Sequence, residues 1–152
     1  MSPLLLAYDG SEDAAHAIRV AAKVLPGAEA IVVNVWEPLG TSASAPDIPG
    51  LRGLLLGGLE ELDREGEELS AGVAAKGAEL ANEAGLRAEG VSRRAQRRAW
   101  AAILELADER DVPVIVVGRR GLSGPERWLL GSVSSAILQR SKRPVLVVPS
   151  EP

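Results

Sequence analysis

The sequence predicts an α/β domain in which a parallel sheet lies between two layers of helices. Five short apolar runs alternate along the chain with segments of helical periodicity, which is typical of a doubly wound sheet. Apolar residues make up 46% of the 152 residues, and there is no Phe, so the core must consist of Val, Leu, Ile and Ala. The predicted strands lie at residues 4–8, 30–36, 86–92, 114–117 and 144–149.

The first 36 residues are predicted to form one right-handed βαβ unit. Ser11 is the expected N-cap of its helix, because its hydroxyl can accept from a backbone N–H of the first turn and two acidic residues follow it. Pro26 and Gly27 end this helix. The strands at 4–8 and 30–36 are then expected to be parallel neighbours.

The middle of the chain is less regular. Residues 37–58 contain many Pro, Gly, Ser and Thr and are predicted to form a loop or flap. An acidic helix is expected over 59–84, and its six carboxylates between 60 and 68 indicate a solvated face. Residues 86–92 are the weakest predicted strand, because Gly90 lies inside it.

The segment that follows the fourth strand points to a ligand. The strand at 114–117 leads into Gly118 and Gly121, nine residues separate Gly121 from Gly131, and a helical run begins beside Ser132. A strand, a glycine turn and a helix N-terminus present unpaired backbone N–H groups and the positive end of a helix dipole to one volume, which suits phosphate. The spacing matches neither the P-loop nor Gly-x-Gly-x-x-Gly.

Each residue of this segment has an expected task. Gly118 permits a sharp turn at the strand end, Gly121 permits close approach or a positive φ, and Gly131 lets phosphate approach the helix. Ser132 is expected to be both the N-cap and a hydroxyl donor. Three arginines either supply positive charge or are simply solvated: Arg119, Arg120 and Arg127.

A second loop is expected to complete the site. In doubly wound sheets ligands bind beyond the carboxyl ends of the strands, where the strand order reverses. The loop after the first strand offers Ala7, Tyr8, Asp9 and Gly10, and it faces the glycine segment if strands 1 and 4 are neighbours. Asp9 then either accepts hydrogen bonds from ribose hydroxyls or braces the turn before the first helix.

Composition argues against several other functions. The net charge of −4 disfavours a nucleic-acid binder, and the absence of Cys excludes disulfides and thiolate metal sites and fits a cytoplasmic protein. No apolar run approaches the ~18–20 residues of a membrane span, and no basic region precedes the first apolar run. His16 is the single histidine and falls within a helix, so no catalytic residue and no dedicated metal ligand is predicted.

Three landmarks resemble the universal stress protein family. The spacing Gly-x2-Gly-x9-Gly-Ser/Thr is similar to the ATP-binding signature of one branch, and it stands here as Gly118, Gly121, Gly131 and Ser132. Residues 4–11 resemble the first strand and turn of that family, and residues 144–149 resemble its last strand. The similarity covers almost the whole chain and implies a single domain over 1–152, with five parallel strands in the order 3-2-1-4-5 and an adenine nucleotide alpha hydrolase-like fold.

The resemblance also implies ligand contacts. Ala7 and Val35 would line an adenine pocket with Val117 near the base, and Asp9 would bind the ribose or a metal-linked phosphate. The residues implied to meet the ribose and phosphates are Gly118, Arg120, Gly121, Gly131, Ser132, Val133 and Ser134. The implied ligand is ATP, with Mg²⁺ or Mn²⁺ bridging its phosphates.

The chain departs from the family pattern ahead of the third helix. Residues 96–100 lack the Gly-x-Pro that often stands there, and Arg119 occupies a position where Ser or Thr is frequent. Trp100 either occupies part of the pocket rim or packs the third helix, and packing is the favoured alternative.

The leading functional hypothesis is a small cytoplasmic ATP-binding regulatory module of stress physiology. One alternative is a weak ATPase or adenylate-handling enzyme that uses the same pocket, and another is a structural dimer that binds no nucleotide. Dimerisation is expected because the last strand is an apolar edge that must be covered, and the resemblance implies antiparallel pairing through it. The residues of that edge are Val145, Leu146, Val147 and Val148.

Overall fold

The computed structural model describes residues 2–38, 50–120 and 130–152, and these build a three-layer α/β fold. Strands and helices alternate in the order β1(Leu4–Ala7), α1(Glu12–Val24), β2(Glu29–Trp36), α2(Leu51–Glu83), β3(Arg87–Arg94), α3(Ala99–Glu109), β4(Ile115–Gly118), α4(Ser132–Arg140) and β5(Val145–Val148). The strands form one parallel sheet in the order β3-β2-β1-β4-β5, as predicted.

The two faces of the sheet carry separate cores, because alternate residues of a strand point to opposite faces. Leu4 and Leu6 of β1 pack with α1 and α2, whereas Leu5 packs with α3 and α4. Leu5, Leu6 and their neighbours in β2 and β4 are almost fully buried. Helices thus cover both faces, and the two cores consist mainly of aliphatic side chains.

The first helix begins as the sequence predicts. The Ser11 hydroxyl accepts a hydrogen bond from the Ala14 backbone N–H at 3.2 Å, and Glu12 and Asp13 lie in the first turn. The chain ends the helix at Val24 and turns at Gly27, whose φ is +72°.

The second helix is longer than the sequence suggests. The prediction of a loop over 37–58 is wrong for residues 51–58, which belong to α2, while residues 39–49 lie outside the described residues. Gly53, Gly57 and Gly58 each disfavour a helix by about 1 kcal/mol relative to Ala, which explains the error. The acidic run from 60 to 68 lies mostly on the exposed face, as predicted.

Gly90 strengthens the packing of β3 although glycine disfavours a strand. A Cβ at Gly90 would lie 2.6 Å from the carbonyl oxygen of Ala74 in α2. Gly77 of α2 has a similar role, because a Cβ there would lie 2.6 Å from side-chain atoms of Tyr8 and Val32. The two glycines therefore let α2 approach the sheet closely.

We expect Gly90→Ala to lower the free energy of unfolding by about 1–3 kcal/mol, because the added methyl group overpacks against helix backbone that cannot yield. Urea denaturation followed by circular dichroism measures this. Gly72→Ala is the matched control, since a Cβ at Gly72 meets no atom within 4 Å. It should raise the stability by about 0.5–1 kcal/mol through helix propensity. Equal stabilities of the two variants would contradict the close approach.

Candidate functional site

A cleft opens at the carboxyl ends of β1 and β4, where the strand order reverses. Helices leave the two strands toward opposite faces of the sheet, and the N-terminal residues of α3 and α4 face the gap. The cleft is lined by Ala7, Tyr8, Asp9, Ala14, Val33, Asn34, Val35, Ala99, Ile103, Val117, Gly118, Arg120, Gly131, Ser132, Val133 and Ser134.

The structure brings together the residues that the sequence selects. Every predicted contact residue that is described lies in this one cleft, and Gly121 lies outside the described residues. The predicted contact residues that line the cleft are Ala7, Asp9, Val35, Val117, Gly118, Arg120, Gly131, Ser132, Val133 and Ser134. These residues, which come from four strands and helices, therefore lie together in one cleft.

One wall of the cleft is apolar. Val35 and Val117 are the next-to-last residues of β2 and β4, and Ile103 belongs to α3, so aliphatic side chains line this part of the cleft. Sequence patterns did not identify Ala99 or Ile103, because nothing in a helical repeat indicates which turn borders a cleft. A flat aromatic group fits such a wall by exchanging water contacts for apolar ones.

The loop after β1 is held by side-chain hydrogen bonds. Asp9 Oδ1 accepts from the backbone N–H of Ser11 at 2.9 Å, so Asp9 braces the turn before α1 and also lines the cleft. Asn34 donates through its side-chain amide to the carbonyl oxygen of Tyr8 at 2.9 Å. A polar residue within the apolar run of β2 was the available sequence signal for Asn34. Burial, followed by the negative charges of Asp9 and Glu12, raises the pKa of Tyr8.

A chain of hydroxyl groups extends this bracing to α2. The Ser92 hydroxyl donates to the hydroxyl oxygen of Ser70 at 2.8 Å, and the Ser70 hydroxyl donates to the backbone carbonyl of Asn34 at 3.3 Å. Ser70 is buried, so these bonds are shielded from water. The carboxyl ends of β1, β2 and β3 are therefore tied to one another and to α2.

Gly118 is needed for a reason other than the predicted sharp turn. It is the last residue of β4, and a Cβ there would lie 2.9 Å from the carbonyl oxygen of Asp13 in α1. The Ser134 hydroxyl donates to the carbonyl oxygen of Gly118 at 2.7 Å in a buried position. Gly118 therefore joins β4 to the N-terminal ends of α1 and α4.

The N-terminus of α4 faces the cleft with open backbone donors. The prediction that Ser132 is the N-cap is wrong: Gly131 is the N-cap, no side chain among the described residues caps the helix, and Ser132 is its first residue. The first intrahelical bond runs from the Ser135 N–H to the Gly131 carbonyl at 2.9 Å. The N–H groups of Ser132, Val133 and Ser134 thus have no helical acceptor and suit an anion.

Arg120 brings the one positive side chain among the described lining residues to this end of the cleft. Its Nε lies 3.9 Å from Asp13 Oδ2, and its Nη2 lies 3.5 Å from the Ser150 hydroxyl. The Ser150 hydroxyl in turn donates to Asp13 Oδ2 at 2.7 Å. Arg119 is not among the described lining residues, and its backbone N–H donates to the Val148 carbonyl of β5 at 2.9 Å.

Two further residues singled out in the sequence lie outside the cleft. Trp100 of α3 is partly buried against the core on that face of the sheet, with the Arg140 guanidinium 4.6 Å from its ring centre, which agrees with the packing alternative. His16 lies on α1 with Nδ1 4.0 Å from Glu151. The described residues contain no cluster of three or more His, Cys, Asp or Glu that could hold a metal. No helix among them is both long and apolar enough to cross a membrane.

The fold and the cleft define a doubly wound α/β protein with a cleft at its topological switch point. The model of the universal stress protein family matches residues 1–149. Universal stress protein YxiE of Bacillus subtilis strain 168 is 31% identical over 147 residues, covering 95% of this chain and 97% of its own. A universal stress protein of Thermus aquaticus is 33% identical over 147 residues, with 95% and 96% covered. The chain therefore belongs to the universal stress protein family.

Solved structures share the fold. The protein MJ0577 superposes with a TM-score of 0.78 at 20% identity, covering 99% of this chain and 97% of that one. The universal stress protein of Archaeoglobus fulgidus in complex with dAMP has a TM-score of 0.60 at 19% identity, with 97% of each chain covered. An Arabidopsis thaliana family member with AMP bound gives 0.63 at 12% identity, with 99% and 93% covered.

We expect Ser134→Ala to lower the free energy of unfolding by about 1–3 kcal/mol, because the buried Gly118 carbonyl loses its hydroxyl donor. Thermal and urea denaturation measure the loss. Ser132→Ala is the matched control, since Ser132 is exposed and its substitution should change stability by less than about 0.5 kcal/mol. If both variants were as stable as the parent chain, the Ser134 hydroxyl would not join α4 to β4.

Proposed function

We propose that this chain is an adenine nucleotide-binding regulatory module of the cytoplasm that acts in stress physiology, with ATP as its ligand. The observation that carries the proposal is the pairing of an apolar wall with an anion site in one cleft. The apolar wall consists of Val35, Val117 and Ile103, and the anion site consists of the open N–H groups at the N-terminus of α4. A nucleotide has this same division between an apolar base and a charged phosphate chain.

The related structures support an adenine nucleotide as the ligand. The Archaeoglobus fulgidus protein was solved with dAMP and the Arabidopsis thaliana protein with AMP. The Gly-x2-Gly-x9-Gly-Ser spacing favours ATP in this chain, with phosphates against Gly131 to Ser134 and Asp9 beside the ribose or a metal-linked phosphate. Mg²⁺ or Mn²⁺ would be held mainly by phosphate oxygens, since the described lining residues contribute only the Asp9 carboxylate.

Binding rather than catalysis is the proposed activity. Among the described lining residues, the titratable groups are those of Tyr8, Asp9 and Arg120. Asp9 braces the turn before α1 by accepting the Ser11 N–H. Burial raises the pKa of Tyr8, so its hydroxyl stays protonated near neutral pH and does not act as a general base. The alternative of a weak ATPase predicts sustained turnover by the pure protein that is lost in Asp9→Ala.

The test of the proposal is calorimetric titration with ATP and Mg²⁺ and with AMP, together with identification of any nucleotide released on denaturation. We expect saturable binding of at least one nucleotide, or a nucleotide already present after purification. Failure of both, with no rise in melting temperature on adding ATP, would leave the structural dimer as the better hypothesis.

We expect Gly131→Val to abolish nucleotide binding, because a branched side chain at the N-cap of α4 would occupy the approach to its N–H groups. Calorimetry measures the loss, and circular dichroism checks that the variant is folded. Gly58→Val is the matched control, since Gly58 lies on α2 outside the cleft and a Cβ there meets no atom within 4 Å. Unaltered affinity in Gly131→Val would place the ligand elsewhere.

We also propose a homodimer formed through β5. This strand pairs only with β4 and forms one edge of the sheet, and Val145, Leu146 and Val147 are only partly buried in the single chain. An apolar edge with open hydrogen-bonding groups favours antiparallel pairing with a second copy.

Val147→Asp should convert the dimer into a monomer, because a carboxylate at the edge would be desolvated by the partner strand. Sedimentation velocity measures the change, and a melting curve checks folding. Val24→Asp is the control, since Val24 is 60% exposed at the end of α1 and its substitution should leave the dimer intact. A folded Val147→Asp variant that still sediments as a dimer would refute the β5 interface.

A further inference from the structure

A second concavity lies between α2 and the loop that follows β1. Its volume is about 670 Å³, and its floor includes Tyr8, Leu69 and Val73. Tyr8 and Val73 pack with the core that contacts α1 and α2, whereas the apolar wall of the nucleotide cleft packs with the core on the other face of the sheet. This concavity, which we call the α2 groove, is therefore distinct from the cleft, although Tyr8 borders both.

The apolar surface of α2 continues beyond the groove. Leu62 and Leu69 are 49% and 72% exposed, and they lie two helical turns, or about 10 Å, apart. Val73 follows Leu69 by four residues, so the three side chains lie along one side of the helix. Exposed aliphatic side chains in such a row mark an interaction surface. Their spacing matches that of the apolar face of a second helix laid along a groove.

Gly72 leaves open space at the floor of the groove. A Cβ added there would meet no atom within 4 Å, although Gly72 lies inside α2, where glycine is less favourable than alanine. Gly77 of the same helix is needed for close packing against Tyr8 and Val32, but nothing among the described residues approaches Gly72 in this way. A glycine with open space in a concave surface suits the close approach of another chain.

The rim of the groove is acidic. Glu65 and Glu68 line it, and residues 60–68 contain six carboxylates and a single basic residue, Arg64. No ion pair between described residues includes Glu65, Glu68 or Lys76, which lines the groove toward the C-terminal end of α2. Unpaired carboxylates beside aliphatic side chains are complementary to an apolar stripe flanked by Lys and Arg. A second copy in a symmetric contact would present the same carboxylates, and their repulsion disfavours that occupant.

We propose that the α2 groove is a docking site for a basic amphipathic helix of a partner protein. The aliphatic floor receives the apolar side chains of that helix, Gly72 lets its backbone approach α2, and Glu65 and Glu68 pair with Lys or Arg at its edge. Docking in this groove is independent of nucleotide binding in the cleft. It supplies a contact through which a regulatory module can act on another protein.

A designed peptide is the probe for this site. It is a labelled helix of about 18 residues in which Leu recurs at intervals of three and four positions and Lys occupies the other positions. Fluorescence anisotropy with the full chain should show saturable one-to-one binding that weakens from about 50 to 500 mM salt, because salt screens the attraction between Glu and Lys. The same peptide with Glu in place of Lys should bind at least about tenfold more weakly. In ¹⁵N spectra, the largest amide shifts should lie at Gly10, Leu69 and Gly72.

Three variants locate the bound peptide. Leu69→Gln removes an exposed apolar contact and Gly72→Gln fills the floor of the groove, so each should weaken binding roughly fivefold or more. Glu65→Gln should weaken it about two- to threefold and reduce its salt dependence. Gly72→Gln should also raise the melting temperature, because Gln favours a helix more than Gly does. Weaker binding by this more stable variant separates docking from a loss of structure.

Ala71→Gln and Glu83→Gln are the matched controls, because both positions are exposed on α2 and neither lines the groove. Both should keep the parental affinity. Absence of saturable binding, equal binding of the acidic peptide, or parental affinity in Leu69→Gln and Gly72→Gln would overturn the proposed docking site. Self-association that Leu69→Gln abolishes and Val147→Asp does not would also overturn it, since the occupant would then be a second copy. None of these outcomes bears on nucleotide binding, which the ATP titration tests separately.

Discussion

The pairing of β1 with β4 is the contact on which the rest of this structure depends. The two strands are far apart in the sequence, and their parallel ladder includes the Leu5 N–H bound to the Val114 carbonyl at 3.1 Å. Because α1 and α4 leave these strands toward opposite faces, the pairing opens a gap at the carboxyl edge of the sheet. The loop at Asp9 and the glycine segment face each other only because of this reversal of strand order.

Close backbone contacts keep that gap in shape. Gly118 lets the first turn of α1 lie against the end of β4, and Ser134 fastens α4 to the same residue. Asn34 secures the opposite loop through the Tyr8 carbonyl. The direction of the N–H groups in the first turn of α4 is therefore fixed by these contacts. The contacts of the Arg120 guanidinium are longer, at 3.9 Å to Asp13 Oδ2 and 3.5 Å to the Ser150 hydroxyl.

Particular elements show how far sequence reasoning reaches. Hydrophobic periodicity and turn residues were sufficient for every strand and for α1, because the Ser11 cap and the buried Val and Leu runs are local signals. They failed at residues 51–58, where three glycines suggested a loop that tertiary structure makes helical. These local patterns also treated Gly90 only as a residue that weakens its strand. The structure shows that the missing side chain at Gly90 lets α2 approach the sheet closely. Ser132 was misplaced by one position because both it and Gly131 are acceptable N-caps.

The sequence by itself determined the fold class and the two loops that border the cleft, because alternating strands and helices fix where their carboxyl ends must lie. The apolar lining residues Val35 and Val117 came from the family resemblance. The strand order came from the family resemblance, and the structure confirmed it. Only the tertiary structure decided the use of Ile103, Asp13 and Ser150, because their contacts are with residues distant in the chain. Asn34 stands out as a polar residue in an apolar run, but its bond to the Tyr8 carbonyl also depends on the fold. A hydrogen bond such as that from Ser150 to Asp13 spans 137 positions, so no sequence window contains both partners. Long-range packing thus selected the partners of Arg120, whereas local patterning had left open whether it lies at the cleft or is solvated.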